Sequence, residues 1–295
     1  MKQVRPKKNL GQHFLTDLSI ARRIADTVDA CPELPVLEVG PGMGVMTQYL
    51  VEKPRPLSVV EIDKESVEYL AQRFPSFRRY EGTGVRRYED SDDAGKSNLA
   101  PSYPRTLESP KNEIIEGDFL RMDLRQMFGG QQFVLTGNYP YDISSQIFFK
   151  MLDNRDLIPC CTGMIQREVA LRIASQPGNK QYGILSVLIQ AWYDVEYLFT
   201  VEPSVFNPPP KVQSAVIRMT RNRVQQLGCN EELFRRVVKT TFNQRRKMLR
   251  VSLRQLLPAD SSLFTLHSSF LALRPEQLTV HDFVELTNMV DEELF

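Results

Sequence analysis

Val36-Leu37-Glu38-Val39-Gly40-Pro41-Gly42-Met43-Gly44 is the stretch whose reading decides the fold. A short apolar run of strand length enters three glycines spaced G-x-G-x-G, and a helical segment from about Val45 to Val51 follows. Glycine lets the backbone turn and pass close to a ligand, and the first N–H groups of the next helix are unpaired and can bind it. Strand, glycine turn and helix in that order make a cradle for a nucleotide. The spacing is not the dinucleotide pattern G-x-G-x-x-G, and no Lys-Ser/Thr pair follows, which excludes a P-loop.

Working outward, Leu57 to Ile62 reads as a second strand, followed by a helix with Val67, Leu70, Ala71 and Phe74 on one face. Before the glycine turn, a helix opened by Thr16 or Asp17 carries Leu18, Ala21, Ala25 and Val28, and Pro32 and Pro35 close it. Further strands are Glu113–Ile115, Phe133 to Asn138 and Thr162 to Gln166, with helices around Ile147–Leu152, Glu168–Ala174 and Ile184–Trp192. Val195, Tyr197, Phe199 and Val201 alternate, as in a strand with one buried face, and the proline-rich Phe206–Val212 leads to a last strand, Ser214–Met219. Strands alternating with helices predict an α/β fold with a mainly parallel sheet, covered on both faces. The last two strands have no helix between them, which predicts an antiparallel member.

From residue 223 the strand signals stop. Phe234, Val237, Val238 and Thr241 form one helical stripe and Leu249, Leu253 and Leu256 another. A later helix carries Leu278, Phe283 and Leu286, with Thr279 and Asp282 spaced as a capping pair. The expected division is an α/β domain over 1–222 and a small all-helical domain over 223–295. Residues 78–112, rich in both charges, Gly, Ser and Pro, read as a flexible surface insertion.

An apolar fraction of 42% and a charged fraction of 25% are those of an ordinary soluble protein, and no apolar run approaches a membrane span. The N-terminus lacks an apolar core after its charges, so no secretory signal is expected. Four cysteines without C-x-x-C spacing and three scattered histidines argue against a metal site or a disulfide framework, and a cytoplasmic location with inert cysteines is expected. The net charge of +1 hides a segregation: residues 1–23 carry six Lys/Arg against one Asp, and 223–257 carry nine Lys/Arg against two Glu. Two basic blocks in a near-neutral chain point to a polyanion.

Three polar residues follow the strand ends, where open α/β sheets bind ligands. Glu61 is placed to accept the ribose hydroxyls of an adenosine, and Asp118 to accept from an adenine amine. Asn138-Tyr139-Pro140-Tyr141 offers an amide, a rigid proline and a ring. Together with the glycine turn they describe a site for S-adenosylmethionine rather than a dinucleotide.

Gly11-Gln12-His13-Phe14-Leu15, Glu38-Val39-Gly40-Pro41-Gly42, Glu61, Asp118, Asn138–Tyr141, Phe206-x-Pro208-x-Pro210-Lys211-Val212 and Arg245-Arg246-Lys247 occur in one order. In that order they resemble the bacterial small-subunit ribosomal RNA adenine dimethyltransferase family, whose loss gives kasugamycin resistance. The chain differs from it in the 78–112 insertion, in His13 where many members have Asn, and in Tyr139 where Leu is frequent. The resemblance implies a class I, Rossmann-like, S-adenosylmethionine-dependent methyltransferase with no metal. Its cofactor pocket would be lined by His13, Leu15, Gly40, Glu61, Asp118 and Asn138. The implied reaction is methylation at N6 of two adjacent adenines in the 3′-terminal hairpin loop of small-subunit rRNA, by a monomer acting on an immature subunit. Asn138, Pro140, Tyr141 and Phe206 would handle the extruded adenine, with Tyr141 and Phe206 on its two faces. Lys7, Lys8, Lys211, Arg245, Arg246, Lys247 and Arg250 would contact phosphates. The alternatives are a large-subunit rRNA methyltransferase conferring macrolide resistance, a DNA adenine methyltransferase, which the helical tail and N-terminal motif fit poorly, and a non-catalytic assembly or transcription-factor relative.

Overall fold

The computed structural model describes residues 7, 13–81, 112–267 and 269–294. In chain order the strands are β1 (Phe14–Leu15), β2 (Val36–Val39), β3 (Leu57–Glu61), β4 (Arg78–Glu81), β5 (Glu113–Glu116), β6 (Val134–Asn138), β7 (Cys160–Gln166), β8 (Tyr193–Val201), β9 (Phe206–Asn207) and β10 (Ser214–Arg221). Eight of them form one sheet in the order β4-β5-β3-β2-β6-β7-β10-β8, and β1 pairs with β9 in a separate two-stranded ladder. Strands β4 through β7 pair in parallel, and β10 runs antiparallel to β7. Every residue of β2 and β3 is buried, as a parallel sheet covered on both faces requires. From β2 the chain moves to β3 on one side and later returns to β6 on the other. That reversal opens a crevice beyond the carboxyl ends of β2 and β6, where a ligand can lie.

Helices Leu18–Ala25 and Lys64–Arg73 lie where the apolar periodicity put them, and Asp17 is the residue that caps the first, accepting from the N–H groups of Ser19 and Ile20. The helix after the glycine turn is shorter than expected, Thr47–Leu50, because the turn itself extends through Met46.

Three expectations change. Arg78–Glu81 is an ordered edge strand parallel to β5, with Arg79 bonded to Glu116 at 2.7 Å, so the expected irregular stretch starts too early at residue 78. Charged residues are what an edge strand tolerates, and they masked its signal. Residues 82–111, the rest of the expected insertion, lie outside the described residues. The cysteines are not all free: Cys31 and Cys160, separated by 129 residues in sequence, are joined by a disulfide with Cα atoms 5.8 Å apart. Both are buried, which limits reduction by soluble thiols. Cys161 and Cys229 remain free, and burial pushes the Cys161 thiol up to about 12.

The third change concerns the division of the chain. One compact unit comprises the described residues up to Arg167 together with Leu198–Thr220, and the other Glu168–Tyr197 together with the described residues from Arg221 onward. The expected single division after residue 222 therefore misses the excursion 168–197. Helix Ile184–Gln190 is buried at five of its seven positions and needs cover on nearly every side. In the second unit Tyr182 meets Phe242 edge-on at 6.1 Å, and Phe242 stacks on Phe283 at 5.8 Å. The last helix, Val280–Leu294, begins at the expected pair: Thr279 Oγ1 accepts from the Asp282 N–H, and the Asp282 carboxylate accepts from the Thr279 N–H. Among the described residues no helix is long and apolar enough to cross a membrane.

Candidate active site

The glycine turn after β2 is held in a conformation only glycine adopts cheaply, with φ of +67° at Gly40, +55° at Gly42 and +71° at Gly44. Gly40 donates to the carbonyl of Val60 at 2.9 Å, and a Cβ on Gly40 would lie 3.8 Å from the ring of Pro140. The glycine turn and the turn after β6 therefore face each other across the crevice. Between them and β3 lies a cavity of about 270 Å³. Its walls include all six of the expected cofactor residues (His13, Leu15, Gly40, Glu61, Asp118 and Asn138) and the rest of the stretch to Tyr141.

Glu61, at the end of β3, is 4% exposed, and its carboxylate accepts three backbone N–H bonds: from Gly42 at 3.0 Å and from Ile62 and Asp63 at 2.9 Å each. Burial raises its pKa, opposed by those N–H groups. Three bonds leave a carboxylate roughly one acceptor position. Asp118 is more open; it accepts from the Leu120 N–H at 2.9 Å and lies 3.4 Å from Arg121.

Asn138 closes β6 with its side-chain nitrogen donating to the His13 carbonyl at 3.4 Å. Tyr139 turns away: its ring is buried, edge-on to Phe148, with its hydroxyl donating to Thr162 O at 3.1 Å. It fits there because β6 and β7 place Gly137 opposite Gly163. A Cβ on Gly163 would come within 2.7 Å of the Tyr139 ring and 2.3 Å of Gly137 O. Tyr141 lines the cavity and stacks on His13, whose Nδ1–H donates to Pro208 O at 2.8 Å.

Several expected residues are placed elsewhere. Phe206 pairs with Leu15 in the β1–β9 ladder, is 4% exposed and packs in the apolar core, so the structure does not bring it to the cavity beside Tyr141. Lys7 is bonded to Asp63 at 2.5 Å and lies 3.5 Å from Glu65, so neighbouring carboxylates engage it rather than leaving it a free phosphate contact. Lys8 lies outside the described residues. Lys211 is exposed in the first unit. In the second unit Arg245 pairs with Glu276 at 2.7 Å and reaches Asn179 O, whereas Arg246, Lys247 and Arg250 are exposed.

Two residues at or behind the cavity were given no role by sequence reasoning. Glu38 lines it yet is 1% exposed, with one hydrogen bond, from Thr47 Oγ1 at 2.7 Å. Burial pushes its carboxyl up to about 8, against the Thr47 bond and aided by the Glu61 charge. An acid in the middle of an apolar strand was the available signal. Ser214 lies behind the cavity and had no signal at all. Apart from Glu38, which burial keeps protonated, the charged side chains of the described lining are all acidic: Glu61, Asp118 and Asp142. A low-dielectric cleft with that lining favours a cationic ligand.

The family model described as ribosomal RNA adenine dimethylase matches residues 3–80 and 96–291. The chain belongs to that family. Among curated relatives, the ribosomal RNA small subunit methyltransferase A of Bacteroides thetaiotaomicron is 59% identical over 294 residues, covering 100% of this chain and 97% of its own. The protein of the same name from Porphyromonas gingivalis is 52% identical, covering 99% of this chain and 100% of its own. A dimethyladenosine transferase from Plasmodium falciparum shares the fold with a TM-score of 0.72 at 21% identity, covering 96% of this chain and 99% of that one. The 23S rRNA methyltransferase ErmE does so with a TM-score of 0.63 at 23% identity, covering 94% and 99%. This dimethylase chain thus has the class I methyltransferase architecture, a mainly parallel sheet with a helical C-terminal region.

Proposed function

We propose that this protein transfers methyl groups from S-adenosylmethionine to N6 of two adjacent adenines in the 3′-terminal hairpin loop of small-subunit rRNA. It does so as a monomer, in the cytoplasm, on an immature subunit. The observation that carries the reading is the state of Asn138: its amide nitrogen is committed to the His13 carbonyl, and no described residue donates to its Oδ1. The side chain therefore presents an acceptor at the cavity wall.

The residues fit the methyl donor. The glycines form a cradle that side chains would fill, since a Cβ on Gly42 would stand 3.1 Å from Phe14. Glu61 keeps room for a ribose hydroxyl, and Asp118 is placed for the adenine amine. Half-exposed Ile62 offers apolar contact to the ring. The wholly acidic charged lining suits a sulfonium, which supplies the methyl group. An adenine amine is a weak nucleophile, because its lone pair is delocalised into the ring. Asn138 Oδ1 and the Tyr139 carbonyl accept its N–H bonds and aim the lone pair at the donor carbon. The N–C bond forms as the S–C bond breaks, and the amine proton leaves to solvent. Positioning and electrostatics suffice, without a strong base. Pro140 keeps the turn rigid, and Tyr141 receives the base on its face. Exposed Arg246, Lys247, Arg250 and Lys211 supply phosphate contacts.

The choice of small over large subunit is supported by the names of relatives 46% to 59% identical over nearly the whole chain. The test is transfer from labelled S-adenosylmethionine to unmodified small subunits, mapped by mass spectrometry of the digested RNA. Two dimethylated adjacent adenines are expected near the 3′ end. Label confined to large-subunit RNA, or absent from both, would overturn the proposal.

A further inference from the structure

Tyr141 is braced on three sides, and one brace comes from a fully buried hydroxyl. Ser214 is 0% exposed at the first position of β10, opposite Gln166 of β7. Its Oγ lies 2.5 Å from Tyr141 Oη. The ring face of Tyr141 rests on the His13 imidazole, centroids 5.7 Å apart and planes 28° apart, and His13 is itself tied to Pro208 O. The Tyr141 carbonyl accepts from Ser144 Oγ at 3.2 Å, at the start of helix Ser144–Asp153. The ring thus has its tip, one face and its backbone fixed before any ligand arrives. With Phe206 withdrawn into the core, this ring is the one of the two expected base-stacking residues left at the cavity.

We infer that Ser214 is a positioning residue for the methyl transfer, acting through the Tyr141 hydroxyl to fix the plane of the ring that receives the target base. This rests on the function proposed above. A tyrosine ring turns readily about its two side-chain torsions unless its hydroxyl is anchored. Ser214 lies on β10, an interior strand between β7 and β8 and paired to β7 at Gln166, so it ties a residue on a loop to the sheet. The bond also sets the distance between ring and sheet, and hence the depth to which a base can enter beside Asn138. Ser214 touches neither donor nor base.

The experiment is a double-mutant cycle with Ser214→Ala and Tyr141→Phe, read as kcat and KM for S-adenosylmethionine on unmodified small subunits, with a thermal melt of each variant. Each single change removes the same hydrogen bond, one from the sheet and one from the cavity side. Each should lower kcat about tenfold, the scale of one hydrogen bond of ordinary net strength, while KM for the methyl donor stays within about twofold. In the Tyr141→Phe background, Ser214→Ala should have no further effect. Multiplying losses would overturn the inference, because Ser214 would then act independently of Tyr141. So would normal turnover by both single variants. If Ser214→Ala fails to fold, Tyr141→Phe decides alone: a loss of kcat at unchanged donor KM supports the inference, and normal turnover overturns it. An inactive wild-type enzyme would instead refute the functional reading on which it depends.

Discussion

The side-chain nitrogen of Asn138 is bonded to the backbone carbonyl of His13, 125 residues away in sequence, and this fixes which end of the amide the cavity meets. The oxygen is the end that matters for an adenine amine. Asn138→Ala is expected to lower kcat by about 100- to 1000-fold, the usual loss when one preorganised transition-state partner is removed. RNA affinity, measured by filter binding, should change little. Turnover within a fewfold of wild type would show that the amide does not aim the amine.

Glu38 gives a pH prediction. Its carboxyl titrates near about 8 in the fold against 4.5 as a free side chain, with burial as the main cause. Between those values the folded chain holds a proton that the unfolded chain has released. Stability from the neutral buried acid is therefore complete below the unfolded value. It is lost as pH rises toward the folded value, at up to about 1.4 kcal/mol per unit. Glu38→Gln keeps the size but cannot ionise. Its melting temperature relative to wild type should be clearly higher at about pH 8 than at about pH 5. A difference that does not move with pH would mean that Glu38 ionises normally.

A third prediction contrasts two glycines with similar φ. At Gly44, φ +71°, a Cβ would stand 2.7 Å from the Phe74 ring and 2.9 Å from Leu70. At Gly130, φ +75°, it would meet nothing within 4 Å. Gly130→Ala should cost only the left-handed backbone penalty, about 1 kcal/mol. Gly44→Ala should add about 1–3 kcal/mol of overpacking and weaken S-adenosylmethionine binding measured by calorimetry. Equal melting losses at the two positions would contradict the packing argument.

The basic run divides into one structural and two exposed charges. Arg245→Ala breaks the pair with Glu276 and should lower the melting temperature. Arg246→Ala and Lys247→Ala should leave the melt unchanged. Each should instead reduce the slope of log RNA affinity against log salt by about 1. The reverse assignment, with Arg245 carrying the salt dependence, would refute this division.

These contrasts show how far the sequence could be read. β2, β3 and β6 were legible because buried parallel strands are short apolar runs bounded by turn residues, and the turn at Gly40–Gly44 announced itself by composition. The cavity lining followed, since Glu61, Asp118 and Asn138 stand at or just beyond strand ends and the topology gathers those ends. What escaped was whatever depends on a partner remote in sequence. Lys7 and Arg245 look like free cations until Asp63 and Glu276 are found beside them. Phe206 looks like a stacking ring until its register opposite Leu15 turns it inward. The pairing of Cys31 with Cys160 had no spacing to betray it, and Arg78–Glu81 hid as a strand because an edge carries charge.

The short ladder between Phe14–Leu15 and Phe206–Asn207 also sets an order in time. During synthesis the glycine turn, Glu61 and Asn138 all emerge, and can begin to fold, before the strand that holds the first wall of the cavity has been made. His13 must wait for Pro208, 195 residues later, to fix its ring. Until then Tyr141 lacks both its stacking neighbour's anchor and Ser214. The acceptor side of the cavity is therefore the part of the site whose contacts the chain can complete last. The last residues needed at the site are supplied by β9 and the start of β10, so competence for transfer arrives late and all at once.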